Sequence, residues 1–196
     1  MRGPIDFLSR AEPRAGDSTG ADALFALAGA QEREAFTADA WRRGTARTLV
    51  LSVGRFDWRR YRSLGLPGGD ALRAAVDAVP YRRRHFLVVV EGAEAEIVSI
   101  GRRRFGTRHE LRCLARLAAE RRWRAIVVAT SAFHLRRTSL AARRIFRGSG
   151  VSIAYLAVPR DLDRYAPGVW RRTFRGVRVV ASEFVKLAVY ALFLGR

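Results

Sequence analysis

The chain has 196 residues, 49% of them hydrophobic, and carries 37 basic side chains against 18 acidic ones for a formal charge of +19. That length suits one domain, and that much apolar material excludes wholesale disorder. Cys113 is the single cysteine, which excludes an internal disulfide framework and a multi-cysteine zinc site and fits a reducing cytoplasm.

The stretch from Met1 to Gly20 is broken by Pro4, Asp6, Arg10, Glu12, Pro13 and Asp17. It reads as a flexible tail rather than a secretory signal, leaving 21–196 as a single α/β domain that folds without it. Ala23 to Ala28 is a short apolar strand ending at Gly29, and Glu32 to Arg43 follows as a helix closed by Gly44. Leu49 to Val53 is the second strand. Between Gly54 and Gly69 runs a long connection rich in arginine and aromatic residues (Arg55, Phe56, Trp58, Arg59, Arg60, Tyr61), the kind of loop that tends to carry function. Asp70 is placed to cap a short helix ending at Ala78. His85 to Glu91 reads as a strand, and Ala95 to Ile100 as a further extended piece.

Thr107 is expected to cap an amphipathic helix with Leu111, Leu114, Leu117 and Ala118 on one face and Arg108, Arg112 and Arg116 on the other. Ala125 to Ala129 reads as a buried strand, His134 to Arg147 as a helix and Val151 to Ala157 as the last strand. In the C-terminal segment, Val177 to Leu194, the residues Arg178, Glu183 and Lys186 interrupt a run already short against the roughly 20 residues a membrane span needs. Glu183, Lys186 and Tyr190 would form one narrow polar stripe. A terminal helix burying Phe184, Leu187, Ala191 and Leu194 against the sheet is one reading, and a membrane-surface helix is the other. Strand-length apolar runs alternating with amphipathic helices predict a three-layer Rossmann-like fold, a mostly parallel sheet with helices on both faces.

In such sheets ligands bind beyond the carboxyl ends of the strands, where helix N-termini offer N–H groups and partial positive charge. The richest strand end is AIVVATSAFHLRR, Ala125 to Arg137, where Thr130 and Ser131 precede His134 and Arg137. Arginine forks onto an oxyanion or phosphate, and histidine can move a proton near neutral pH. Sharing one helix start, His134 and Arg137 are expected to hold a common ligand, so that removing either costs function with little loss of stability. Gly29, Ser52, Gly54 and Arg55 stand at the other strand ends. His109 and Glu110 follow Thr107, and a capping box between Thr107 and Glu110 is the structural reading of that pair.

No G-x-G-x-x-G follows the first strand and no P-loop occurs, so neither a dinucleotide fingerprint nor a Walker NTPase is supported. The elbow G-x-S-x-G of a serine hydrolase is absent too. His85, His109 and His134 lie at separate sites without metalloprotease spacing, so no metal is expected. Arginine runs (Arg82 to Arg84, Arg102 to Arg104, Arg121 with Arg122, Arg136 with Arg137, Arg143 with Arg144, Arg171 with Arg172) are spread along the chain rather than gathered in one stripe. They predict general polyanion affinity at low salt and no specific nucleic-acid partner.

These motifs together resemble the YdcF/SanA/ElyC-like family, a bacterial group of Rossmann-like domains whose chemistry is unassigned. The resemblance runs from about Ala21 to Leu194. TSAFHLRR is similar to its T-S-x-x-H-x-x-R signature, and ADALFALAGA to its opening strand. ADAWRRG is similar to its A-x-L-Y-x-x-G helix end, LVLSVG to its V-S-G-G strand end, Phe105 to Glu110 to its N-T-x-E segment, and SEFVKLAVYALFL to its terminal helix. Gly106 stands in place of the usual Asn, and the Arg55–His85 insert replaces an acidic helix. The resemblance implies a role in cell-envelope biogenesis. The combined expectation is a strand-end pocket for an anionic, phosphorylated or nucleotide-like small molecule, with His134 and Arg137 as catalytic residues. Gly29, Ser52, Gly54, Arg55, Thr107, Glu110, Thr130 and Ser131 are its expected ligand-binding residues. The alternative is a non-catalytic, arginine-driven binding protein in peripheral contact with an anionic membrane surface or nucleic acid. No cofactor is named by any motif.

Overall fold

The computed structural model describes residues 20–101, 106–159, 162 and 174–193, the side chains at 175, 176, 179 and 189–193 excepted. Residues 1–19 and 102–105, Arg171, Arg172 and Leu194 lie outside the described residues, and with them the expectations placed there.

Strand β1 (Ala21–Ala26) leads through helix α1 (Gln31–Arg42) to β2 (Ala46–Gly54). The Arg55–His85 insert carries α2 (Trp58–Ser63), α3 (Asp70–Asp77) and a 3-10 turn, Tyr81–Arg83, before β3 (His85–Glu91) and β4 (Glu94–Ser99). Helix α4 (Gly106–Arg121), β5 (Ala125–Thr130), a 3-10 turn (Ala132–His134), α5 (Leu135–Ile145), β6 (Ser152–Ala157) and α6 (Phe174–Phe193) complete the order. Six strands form one sheet in the order β4-β3-β2-β1-β5-β6. β2, β1, β5 and β6 run parallel, while β3 pairs antiparallel with β2 and with β4.

The three layers follow from strand alternation, since successive side chains point to opposite faces. Phe25, Val50, Leu87, Val89, Ile126 and Val128 meet Leu111, Leu114 and Leu117 of α4 and Leu135, Ala141 and Ala142 of α5. Their neighbours Ala26, Leu49, Leu51, Phe86 and Val88 meet Ala38 of α1, Phe56 and Tyr61 from the insert, and Leu72 and Val76 of α3. Helices therefore cover both faces, as in a Rossmann-like fold. Asp22 clasps the amino ends of the two central strands β1 and β5, accepting from the Arg124 and Ala125 N–H groups at 2.6 and 2.9 Å. Those bonds, with Arg47 alongside, hold its carboxyl below the usual range.

Several expectations shift. β1 begins two residues before Ala23, and the helix expected from His134 starts as a 3-10 turn, with α5 proper from Leu135. Asp70 does not cap α3: Gly69 is the cap residue, and no side chain bonds there. The Gly54–Gly69 connection carries the short helix α2 rather than only a loop, and it is bolted to α1. Arg60 Nε donates to Glu34 Oε2 at 2.6 Å, Arg42 donates to the carbonyls of Leu64 and Gly65, and Gln31 donates to Ser63.

The C-terminal helix departs furthest. α6 packs mainly on α5 and the 3-10 turn before it, not on the sheet. Its inward residues are Val180 and Glu183, with Leu187 half-buried, while Phe184 turns outward. The expected apolar inner face with Glu183 in an outer stripe is thus reversed at both residues. The side chain of Ala191 lies outside the described ones. Among the described residues no helix is long and apolar enough to cross a membrane.

Candidate functional site

β2 lies on one side of β1, and β6 lies on the far side of β5. The helices leaving β1 and β5 consequently go to opposite faces, and the carboxyl ends of the two strands part between them. That topological switch point is where open α/β sheets bind ligands. A cleft of about 140 Å³ occupies it, lined by Ala28, Gly29, Ala30, Glu32 and Arg33 after β1, Ser131, Phe133 and His134 after β5, and Val158 and Leu162 after β6.

Arg33 governs the floor of this cleft. Its Nη1 donates to the carbonyls of Leu27 at 3.0 Å and Ala28 at 2.9 Å, and its Nη2 donates to Ser131 Oγ at 2.9 Å. A buried guanidinium in the first turn of α1 thereby ties the end of β1 to the end of β5. Gly29 shows why no side chain belongs above it: φ is +149°, and a Cβ there would stand 3.1 Å from Arg33 Nη1. Arg60 Nη2 reaches the same rim, donating to the Gly29 carbonyl at 2.8 Å. Its partner Glu34 is buried, and burial pushes that carboxyl up despite the neighbouring Arg60 and Arg33.

Beneath the cleft on the β2 side, Ser52 Oγ donates to Glu110 Oε1 at 2.7 Å. Glu110 is 8% exposed, and burial raises its carboxyl pKa against the opposing effect of the Ser52 and Ala28 hydrogen bonds and the Arg33 and Arg137 charges. The capping box is therefore not formed. Thr107 already lies within α4 and accepts at Oγ1 from Arg137 Nη1 at 2.5 Å, while Glu110 turns inward to Ser52.

The second cluster is built on Glu183. Arg137 Nε donates to Glu183 Oε2 at 2.7 Å, Lys186 Nζ donates to Oε1 at 2.8 Å, and His134 Nδ1 stands 2.9 Å from Oε2 and 3.0 Å from Arg137 Nη2. Nδ1 serves one neighbour at a time. With its proton it donates to Glu183 and leaves Nε2 a lone pair, and without it Nδ1 accepts from Arg137. Burial lowers His134 to about 4 even beside Glu183, so the ring is neutral at pH 7. Burial alone would raise Glu183, but His134, Arg137 and Lys186 outweigh it and hold the carboxyl far below the usual range.

Both shifts are depressions, so both stabilise the fold at high pH and are lost on acidification. Stability is expected to fall as pH drops from 6.5 to about 4, the window in which unfolded His134 gains a proton that the folded ring refuses. The full loss is on the order of 3 kcal/mol. Glu183 adds to it only below 4.5. Urea unfolding at a series of pH values checks this, and His134→Asn should flatten the upper part of the slope. An unchanged slope in that variant would remove His134 as its source.

The candidate residues thus separate into four places. Gly29, Ser131 and His134 line the cleft. Ser52, Glu110 and Thr107 lie beneath or beside it, and Arg137 is occupied by Glu183, Thr107 and His134. Thr130 is fully buried on the face of Ile126 and Val128, its hydroxyl without a hydrogen-bond partner among the described residues. Gly54 and Arg55 sit exposed at the β2–β3 corner, outside the cleft lining, because the cleft opens on the β5 side of β1 and β2 lies on the other. Arg33, Glu34 and Glu183 are the functional side chains that the sequence reading passed over. The inward face of α1 carries Arg33, Glu34 and Thr37 beside Ala38 and Ala40, so no apolar spacing in the sequence marks Arg33 as an inward charge. Among the described residues no group of three or more metal-ligating side chains comes together.

Fold and cleft define a doubly wound, Rossmann-like α/β protein with a cleft at its topological switch point, whose charged lining residues are Arg33 and Glu32. No family model, no curated protein and no solved structure matches the chain.

Proposed function

We propose that the protein binds an anionic, phosphorylated or nucleotide-like small molecule in the β1–β5 cleft, as a YdcF-like protein acting in cell-envelope biogenesis. The observation that supports this most is the convergence on one cleft of the Arg33 charge, the Ser131 hydroxyl, the His134 ring and the N-terminus of α1, whose cap residue Ala30 offers no side-chain cap of its own. About 140 Å³ holds a phosphoryl-sized head group, against roughly 30 Å³ for a water molecule, with the rest of the ligand extending outward. Arg33 already donates to two carbonyls and Ser131, so it acts as a fixed positive charge under the ligand rather than as a fork around it. His134, neutral and oriented by Glu183 or Arg137, is the group suited to accept or donate a proton there. Arg137 acts through His134 and Glu183 as a positioning residue.

Titrating the purified protein with inorganic phosphate, a sugar phosphate and a nucleoside diphosphate should give saturable binding to at least one of them. Ser131→Asp, which would place a carboxylate against Arg33, should weaken it by about tenfold or more. Binding that vanishes steeply with added salt and ignores Ser131→Asp would instead be polyanion attraction to the arginine surface, and the cleft reading would fall.

A further inference from the structure

Helix α6 has a second face that the cleft does not use. At 3.6 residues per turn, Phe174, Val177, Ala181, Phe184, Val185 and Ala188 fall within an arc of about 100°. All six are exposed, Phe174 at 84% and Val185 at 65%. The inward residues Val180, Glu183 and Leu187 occupy an adjoining arc of about 60° that begins about 40° beyond Phe184. Arg178, exposed, adjoins the stripe beside Val185. An apolar stripe with a cationic flank is the pattern of a helix lying in the plane of a membrane interface.

We propose that the outer face of α6 docks on an anionic lipid bilayer surface, the stripe entering the headgroup–acyl boundary while Arg178 meets lipid phosphates. Three observations choose this occupant. No described helix is long and apolar enough to cross a bilayer, so the contact is along the surface. A second copy of the chain would bring another +19 charge against the first, and six side chains fall well short of the roughly 20 to 30 residues a side in a stable protein interface. A nucleic acid would satisfy Arg178 but has no apolar phase to receive Phe174 and Val185. Lipid phosphate and acyl chain together satisfy both halves of the face.

The test is co-sedimentation of the full chain with phosphatidylcholine vesicles, with and without phosphatidylglycerol. The expected result is binding to the anionic vesicles, part of which survives high salt because the apolar stripe is inserted. The double variant Phe174→Asp/Val185→Asp should lose at least about tenfold in vesicle affinity, since each apolar side chain returned to water is worth about that much. Its thermal melt should match that of the unaltered chain, and Val177→Asp provides an independent variant should the double one fold poorly. Absence of co-sedimentation would overturn the proposal, and so would a correctly folded variant that binds as tightly as the original, which would assign attachment to arginines elsewhere. A lipid-free dimer in sedimentation equilibrium that the variant abolishes, without any vesicle binding, would assign the stripe to a second copy instead.

Discussion

Glu183→Ala is expected to destabilise the protein by about 3 to 5 kcal/mol, the range for removing one partner from a buried ion pair. Glu183 is 1% exposed and gathers Arg137, His134 and Lys186 onto two oxygens. Without it the Arg137 guanidinium, itself only 10% exposed, loses the carboxylate to which its Nε donates and keeps Thr107 and His134 as hydrogen-bond partners. A domain of this size loses roughly 2 to 4 °C of melting temperature per kcal/mol, so the melt should fall by roughly 6 to 20 °C. Glu183→Gln, which keeps the shape and one acceptor, should lie between. Because the carboxylate pins α6 to α5, hydrogen exchange in α6 should rise before that in the sheet. A loss below about 1 kcal/mol would mean that the cluster is held by packing alone. The same geometry revises the expectation that Arg137 can be removed at little cost: Arg137→Ala should also destabilise, since it strands Glu183 with Lys186 as its remaining full charge.

Arg33→Met should cost about 2 to 4 kcal/mol and abolish high-affinity anion binding together. Methionine fills much of the same volume, but the carbonyls of Leu27 and Ala28 and the Ser131 hydroxyl lose their shared donor, and each buried polar group left unpaired costs about 1 to 3 kcal/mol. Relaxation around the cavity recovers part of the sum. Arg33→Lys keeps the charge but cannot spread across three acceptors from one planar head. It should therefore restore part of the anion affinity and little of the stability. Urea unfolding read beside phosphate titration separates the two effects. Equal rescue of both by lysine would show that Arg33 contributes charge only, and that the bridge between the strand ends is incidental.

Much of the fold was legible because it is encoded locally. β3 runs from His85 to Glu91 as read, since an apolar stretch bounded by polar residues leaves an extended chain one place to sit. In α4 the leucine spacing alone assigned the buried face. β1 was displaced by two residues because ADALFALA is apolar beyond the strand's end, and only the pairing of Ala21 with Ala46 fixes where the ladder begins. The parallel core and the direction of its strand ends followed from element order. That β3 and β4 turn back antiparallel did not, because strand direction there is set by the pairing partner and not by any local pattern.

The site divides the same way. TSAFHLRR located Ser131 and His134 at a strand end, because a strand running into a helix start determines where those side chains emerge. Their partners could not be read. Arg33 meets Ser131 across 98 residues, Ser52 meets Glu110 across 58, and Arg137 meets Glu183 across 46. A periodic pattern reports only whether a residue sits on an apolar or a polar face, and by that measure Glu183 belongs outside. Burying its carboxylate becomes favourable only once Arg137, His134 and Lys186 converge on it, and that convergence exists in the tertiary structure alone. The sequence by itself determined the parallel core, its helical covering and the strand ends at which the cleft opens; which charges turn inward around that cleft was decided by long-range packing, because the energy of a buried charge depends on partners that no local pattern names.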